Sequence, residues 1–198
     1  MGGFGLRAFI FFGEFVGALL EELKELRPPA SCGGQYAVLK AIPQGHRTEL
    51  YGLGSLKNSS ERENLKYRLP CTPETKNFPL ADPFFFVDSR RKTLVGLRMA
   101  TVGGHHTTAR TVRLFNKRLA AFFEGWDELS RDMSWEMIYV QHADSTPMNG
   151  WQRCDVVNSN NVSRPENREI AAFWEEEARQ YLAAISSDDA RRNEALRR

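Results

Sequence analysis

Two short apolar runs, 83–88 (PFFFVD) and 93–101 (TLVGLRMAT), are joined by four polar residues, Ser89, Arg90, Arg91 and Lys92. Both runs are continuous rather than alternating, the pattern of strands buried on two faces, so together they predict a β-hairpin inside a covered sheet. Helical periodicity flanks them. Upstream, Phe12, Val16, Leu19, Leu20, Leu23 and Leu26 recur at three- and four-residue spacing and stop at Pro28-Pro29, which predicts a first helix. Residues 35–42 (QYAVLKAI) read as a strand, and 43–78, polar and proline-bearing, as a long irregular insert.

Downstream, Gly103 and Gly104 break the second hairpin strand, and Thr107 or Thr108 offers a helix cap. Val112, Phe115, Leu119, Phe122 and Trp126 then form the stripe of a second helix. Residues 135–142 (WEMIYVQH) read as another strand. Ser163-Arg164-Pro165-Glu166 is a capping box with proline in the first turn, opening a third helix whose buried stripe is Ile170, Phe173, Trp174, Tyr181 and Ile185. Trp126, Trp135 and Trp174 sit on apolar stripes and are expected in the core. The chain after 187 is a charged tail, so the expected organisation is one domain, 1–187, followed by 188–198.

With 41% hydrophobic and 26% charged residues, the chain is neither disordered nor collagen-like. Its cysteines, Cys32, Cys71 and Cys154, include no C-x-x-C pair, so neither a disulfide framework nor a zinc module is indicated. The apolar stretch 7–20 is interrupted by Glu14 and closed by Glu21 and Glu22, too short and too acidic for a bilayer span, and no membrane partner is expected.

Charge is strongly partitioned. Residues 89–118 hold 8 Lys/Arg and no Asp/Glu, whereas 119–198 hold 9 against 15. A cationic stretch free of anions suits a polyanion such as a nucleic-acid backbone, and equally suits a solvated face that balances the acidic end. Seven of these cations, Arg90, Arg91, Lys92, Arg98, Arg110, Arg113 and Lys117, are the candidate phosphate contacts, with His105 and His106 beside them. At 100° per residue, Arg110, Arg113 and Lys117 share one stripe opposite Val112, Phe115 and Leu119. His142, Asp144, Ser145 and Cys154 carry groups used in acid–base chemistry, but their spacing fixes no geometry.

The element order helix, strand, two-stranded hairpin, helix, strand, helix resembles the αβββαβ core of restriction-endonuclease-like nucleases. The expected fold is therefore α/β, with a mixed sheet and an added C-terminal helix. Those nucleases place a Glu on the first helix, an Asp at the start of the second strand, and an acid or Gln two residues before a Lys on the third. Residues two apart share a strand face, so acid and Lys can reach one metal-bound water. The matching positions here are Glu14, Asp82, and Arg98 with Ala100.

The segments FGEFVGALLEEL, LKAIPQG, NFPLADPFFFVDS, TLVGLRMATVGGHHTTARTVRLF, SWEMIYVQHADSTPMNGWQRCDVVN and ENREIAAFW also resemble the C-terminal part of the trypanosomal retrotransposon hot spot proteins, which are similar to the Crinkler effectors. The resemblance implies a nuclear or perinuclear member of a large multigene family, in which a P-loop ATPase domain usually precedes the nuclease-like one. No Gly-Lys dipeptide occurs in this chain, so the ATP-binding P-loop motif is absent from it.

Departures from the nuclease pattern are chemical. Arg98 cannot ligate Mg²⁺ and Ala100 cannot replace an ammonium, so a degenerate site is expected, with Glu14, Asp82 and Arg98 together and Arg98 standing where the metal would. No cofactor is expected; Mg²⁺ would be needed only if the site were active. Three readings follow: a nucleic-acid-associated pseudoenzyme, a protein-interaction module, or an active metal-dependent nuclease.

Overall fold

A computed structural model describes residues 23–26, 51–53, 62–67, 71–73, 78–81, 83–88, 91–100, 106–156 and 163–186. Their organising feature is the hairpin. Its strands, β4 (Phe84–Val87) and β5 (Thr93–Ala100), pair antiparallel from Phe84↔Gly96 to Val87↔Thr93. Phe84 and Phe86 are wholly buried, as a continuous apolar run requires.

Around the hairpin runs a seven-stranded mixed sheet in the order β1-β9-β7-β5-β4-β3-β2. The other strands are β1 (Lys24–Leu26), β2 (Tyr51–Leu53), β3 (Cys71–Pro73), β7 (Ser134–His142) and β9 (Ala178–Ile185). β5, β7 and β9 are parallel neighbours, whereas β1 runs antiparallel to β9 and β3 antiparallel to β4. A second, two-stranded sheet pairs β6 (Thr107–Thr108) with β8 (Cys154–Asp155).

Parallel strands need crossovers, and two helices supply them. Helix α1 (Ala109–Phe122) links β5 to β7, and α3 (Arg164–Glu176) links β7 to β9; a short α2 (Trp126–Leu129) follows α1. α1 begins where Thr108 Oγ1 accepts from Thr111 N at 3.2 Å. α3 begins where Ser163 Oγ accepts from Glu166 N at 3.3 Å, with Pro165 in the first turn.

Register and the two-residue period put Phe84 and Phe86, Leu94 to Ala100 at even positions, and Trp135, Met137, Tyr139 and Gln141 on one face of the sheet. α1 and α3 both cover it. Phe115 meets Phe84 and Trp135 edge-on, with centroids 5.5 and 5.4 Å apart, and Phe173 meets Trp135 at 5.1 Å. Trp126, Trp135 and Trp174 are all core residues.

Three sequence expectations are corrected. Tyr181 and Ile185 do not extend the third helix: α3 ends at Glu176 and the chain continues as β9, so a strand stands where the second half of a C-terminal helix was expected. Eight register pairs with β7 outweigh a spacing that fits a helix equally well. Lys24–Leu26, the expected end of the first helix, is instead the edge strand β1, held by pairing to β9; the rest of that helix and the strand 35–42 lie outside the described residues. The insert 43–78 is not wholly irregular, because it contributes β2 and β3, and Glu63 N bonds Phe122 O at 2.7 Å.

Candidate nucleic-acid interface

The expected site residues divide among three places. Glu14, Asp82, Arg90 and His105 lie outside the described residues. Arg91 and Lys92 stand at the N-terminal end of β5, while Arg98, His106 and Arg110 stand at or beyond its C-terminal half. With a rise of about 3.3 Å per strand residue, the two groups are roughly 20 Å apart.

At the N-terminal end, Arg91 is engaged in the fold. Its Nη1 bonds Glu177 Oε2 at 2.5 Å and its Nε donates to Asp132 O at 2.8 Å. The side chain thereby ties the start of β5 to the loop before β7 and to the turn before β9.

On α1 two of the three cations expected on one exposed stripe, Arg110 and Lys117, are exposed, and Arg113 is partly buried. Arg118 is exposed beside them, and Val112, Phe115 and Leu119 are buried opposite. Arg113 leans toward α3, its Nε 3.9 Å from Glu166 Oε1. Among the described residues, Arg110, Lys117 and Arg118 have no carboxylate within ion-pair reach. α1 itself, ARTVRLFNKRLAAF, contains no acidic residue.

Arg98 occupies a different setting. It lies on the helix-covered face of β5, in register with Tyr139 of β7. Its Nη1 is buried without a hydrogen-bond partner, as is the hydroxyl of Tyr139, a residue with 0% exposure. Burial lowers the pKa of Arg98, and Tyr139 acts in the opposite sense. Burial likewise raises the pKa of Tyr139, partly offset by Arg98. No carboxylate acts on the guanidinium among the described residues.

Next to this pair lies the small parallel sheet. Cys154 of β8 is within electrostatic reach of Tyr139 and is the register partner of Thr107, whose buried Oγ1 also lacks a partner. The loop that brings β8 here is pinned by two buried glutamines. Gln141 Nε2 donates to Thr146 O at 2.6 Å and its Oε1 accepts from Met148 N at 3.1 Å. Gln180 Oε1 accepts from Gln152 N at 2.8 Å and its Nε2 donates to Gln152 O at 2.9 Å. Sequence reading missed Thr107 and Tyr139 as polar site residues. Only the even spacing of Arg98 from Gly96, together with strand register, could have paired Arg98 with Tyr139.

The acid–base grouping does not assemble. His142 and Asp144 are exposed and contact each other, with Asp144 N donating to His142 Nδ1 at 3.2 Å. Cys154 is buried, and desolvation pushes its thiol from 9.0 to about 12, which keeps it protonated and a poor nucleophile at neutral pH. His106 Nδ1 accepts from Arg153 N at 3.2 Å.

The described residues at the Arg98 position do not fit a divalent cation. A guanidinium offers only donors, and Ala100 is a buried methyl group. Among the described residues no helix is long and apolar enough to cross a membrane. Comparison with protein-family models, with curated proteins and with solved structures gives no match.

Proposed function

We propose that this protein is a nucleic-acid-associated, restriction-endonuclease-like domain in which metal-dependent cleavage has been lost, as its resemblance to the retrotransposon hot spot proteins implies, acting in or near the nucleus. The observation that carries the binding half of this reading is α1: exposed Arg110, Lys117 and Arg118 on a helix without a carboxylate. Phosphate neutralisation by such cations is the main source of sequence-independent affinity. The order β3, β4, β5, α1, β7, with antiparallel pairs giving way to a parallel one, supports the nuclease-like half. Arg98 and Ala100, at the positions of the acid and the lysine, support loss of catalysis.

The test is binding of labelled duplex and single-stranded oligonucleotides across a salt series, alongside cleavage with Mg²⁺ or Mn²⁺. Affinity should fall steeply with salt, with a log–log slope of about −0.9 per duplex phosphate contacted, and Arg110→Glu with Lys117→Glu should abolish it. Little cleavage is expected from the wild type, and Arg98→Gln with Ala100→Lys is expected to restore part of it. Absence of salt-sensitive binding would favour a protein-interaction module. Robust metal-dependent cleavage abolished by Asp82→Ala would establish an active nuclease instead.

A further inference from the structure

Three buried polar atoms without hydrogen-bond partners lie on linked strands. Arg98 Nη1 and Tyr139 OH are on register partners of β5 and β7, and Thr107 Oγ1 is on the register partner of Cys154, which is within electrostatic reach of Tyr139. Their chemistry is of one kind. Arg98 Nη1 can only donate a hydrogen bond, and Tyr139 OH and Thr107 Oγ1 can each donate one. Tyr139 and Thr107 are more than nine-tenths buried, and native proteins rarely leave such groups unmet. Arg98 is half-buried, so the cluster reaches solvent through it while the two hydroxyls lie deeper. Above them begins α1, whose first turn holds no acidic residue and whose only side-chain cap, Thr108, is used on Thr111 N. The partial positive charge of that helix start is therefore not offset by a carboxylate in its own first turn.

We propose that Arg98, Tyr139 and Thr107 line a metal-free pocket for a phosphate group. A half-buried guanidinium whose Nη1 has no hydrogen-bond partner is stabilised by an anion. Donors arriving from three elements, β5, β7 and β6, suit a tetrahedral oxyanion better than a planar carboxylate with two oxygens. Where the phosphate belongs to a nucleic-acid strand, this pocket rests on the nucleic-acid reading and adds a point that grips one phosphate, while α1 follows the backbone. A small phosphorylated ligand or free phosphate presents the same chemistry.

The experiment uses the full chain. Inorganic phosphate is titrated calorimetrically, with acetate as the planar control, and a single oligonucleotide is compared with and without a 5′-phosphate by fluorescence anisotropy. Phosphate should bind saturably and acetate should not. Arg98→Gln should weaken phosphate binding about tenfold or more, the loss of a charge-assisted hydrogen bond, and Tyr139→Phe and Thr107→Val about fivefold each. Arg98→Lys, which keeps the charge, should recover part of the affinity, and unchanged circular dichroism spectra establish that the variants fold. Preference for the 5′-phosphorylated strand, lost in Arg98→Gln, assigns the pocket to nucleic-acid ends; phosphate binding without that preference assigns it to a small ligand. If wild type binds neither phosphate nor the 5′-phosphate selectively, or if Arg98→Gln and Tyr139→Phe leave both unchanged, the pocket is overturned, while salt-sensitive binding lost in the α1 variants would leave the nucleic-acid reading intact. Phosphate binding sensitive to Arg98, with no oligonucleotide binding, would remove that reading and keep the pocket.

Discussion

Arg98 on β5 and Tyr139 on β7 are register partners, yet the guanidinium Nη1 and the phenol OH are both buried, and neither bonds the other or any other described residue. Side chains of parallel register partners run alongside each other from the same face, which brings their tips close without pointing one at the other. The pair is a local energetic deficit of the kind that water, an ion or a ligand relieves.

Tyr139→Phe removes one of the two unmet groups at nearly constant volume. In phosphate-free buffer the variant should be as stable as wild type or more stable by about 1 kcal/mol, because an unsatisfied buried hydroxyl is replaced by a C–H. Urea denaturation measures it. A clear loss of stability would mean that the hydroxyl has a partner in solution.

Gly96 lies two residues before Arg98, and an added Cβ there would meet Ala81 Cβ at 2.8 Å and Met137 Sδ at 3.0 Å. The first contact is with a short, buried side chain that cannot swing away. Gly96→Ala should therefore destabilise the protein by about 1–3 kcal/mol, the usual range for overpacking. Thermal or urea unfolding checks it.

The elements that govern this end of the sheet were largely legible. The β4–β5 hairpin, α1 and β7 each have a pattern that tertiary packing agrees with: continuous apolar residues for buried strands, and Val112, Phe115 and Leu119 for a helix face. β9 was hidden because Ala178–Ile185 follows α3 without a glycine or proline, and Tyr181 and Ile185 continue helical spacing. What makes it a strand is non-local pairing to β7, which no window of sequence contains. β1 was hidden for the same reason, since Lys24, Glu25 and Leu26 favour helix until paired with β9. The candidate pocket was half legible: Arg98 stood out by charge, whereas Tyr139 joins it only through β5–β7 register, and Thr107 is linked only through its register partner Cys154.

Both described thiols report on burial. Desolvation raises Cys71 and Cys154 from 9.0 to about 12. A raised folded pKa means that the folded state holds the proton where the unfolded chain releases it. The associated stability is complete below about pH 9 and is lost as pH rises from 9 toward 12. The urea midpoint should fall between pH 8 and pH 10.5, with a shallower fall in Cys71→Ala with Cys154→Ala. A thiol-reactive dye should label these two positions only after denaturation.

Arg91 separates a structural cation from a ligand-binding one. Its bonds to Glu177 and Asp132 O hold the N-terminal ends of β5 and β9 together, in a partly exposed setting. Arg91→Gln should lower stability by about 1 kcal/mol after allowance for solvent screening, and leave oligonucleotide affinity and its salt slope unchanged. A reduced slope would return Arg91 to the binding surface.

Gln180 tests how the loop before β8 is held over the sheet. Its amide forms a closed pair of bonds with the backbone N–H and C=O of Gln152, as a neighbouring strand would, and Trp174 Nε1 adds a third bond to the same carbonyl at 2.8 Å. In Gln180→Leu the carbonyl keeps the indole, but the Gln152 N–H loses this acceptor inside the protein. The expected loss is about 2–3 kcal/mol. Gln180→Glu separates the two halves of the clamp. A carboxylate can accept from Gln152 N but cannot donate to Gln152 O, and its burial disfavours ionisation, so this variant should lose stability as pH rises through the raised pKa of the new side chain. Hydrogen exchange gives the local readout. In Gln180→Leu the Gln152 amide should lose protection, while that of Met148, bound to Gln141, keeps more of it. Because this loop carries Cys154, the register partner of Thr107, to within electrostatic reach of Tyr139, phosphate affinity should fall together with that protection even though Gln180 touches no proposed ligand. Loss of protection with unchanged phosphate affinity would show that Thr107 is held in place by other means.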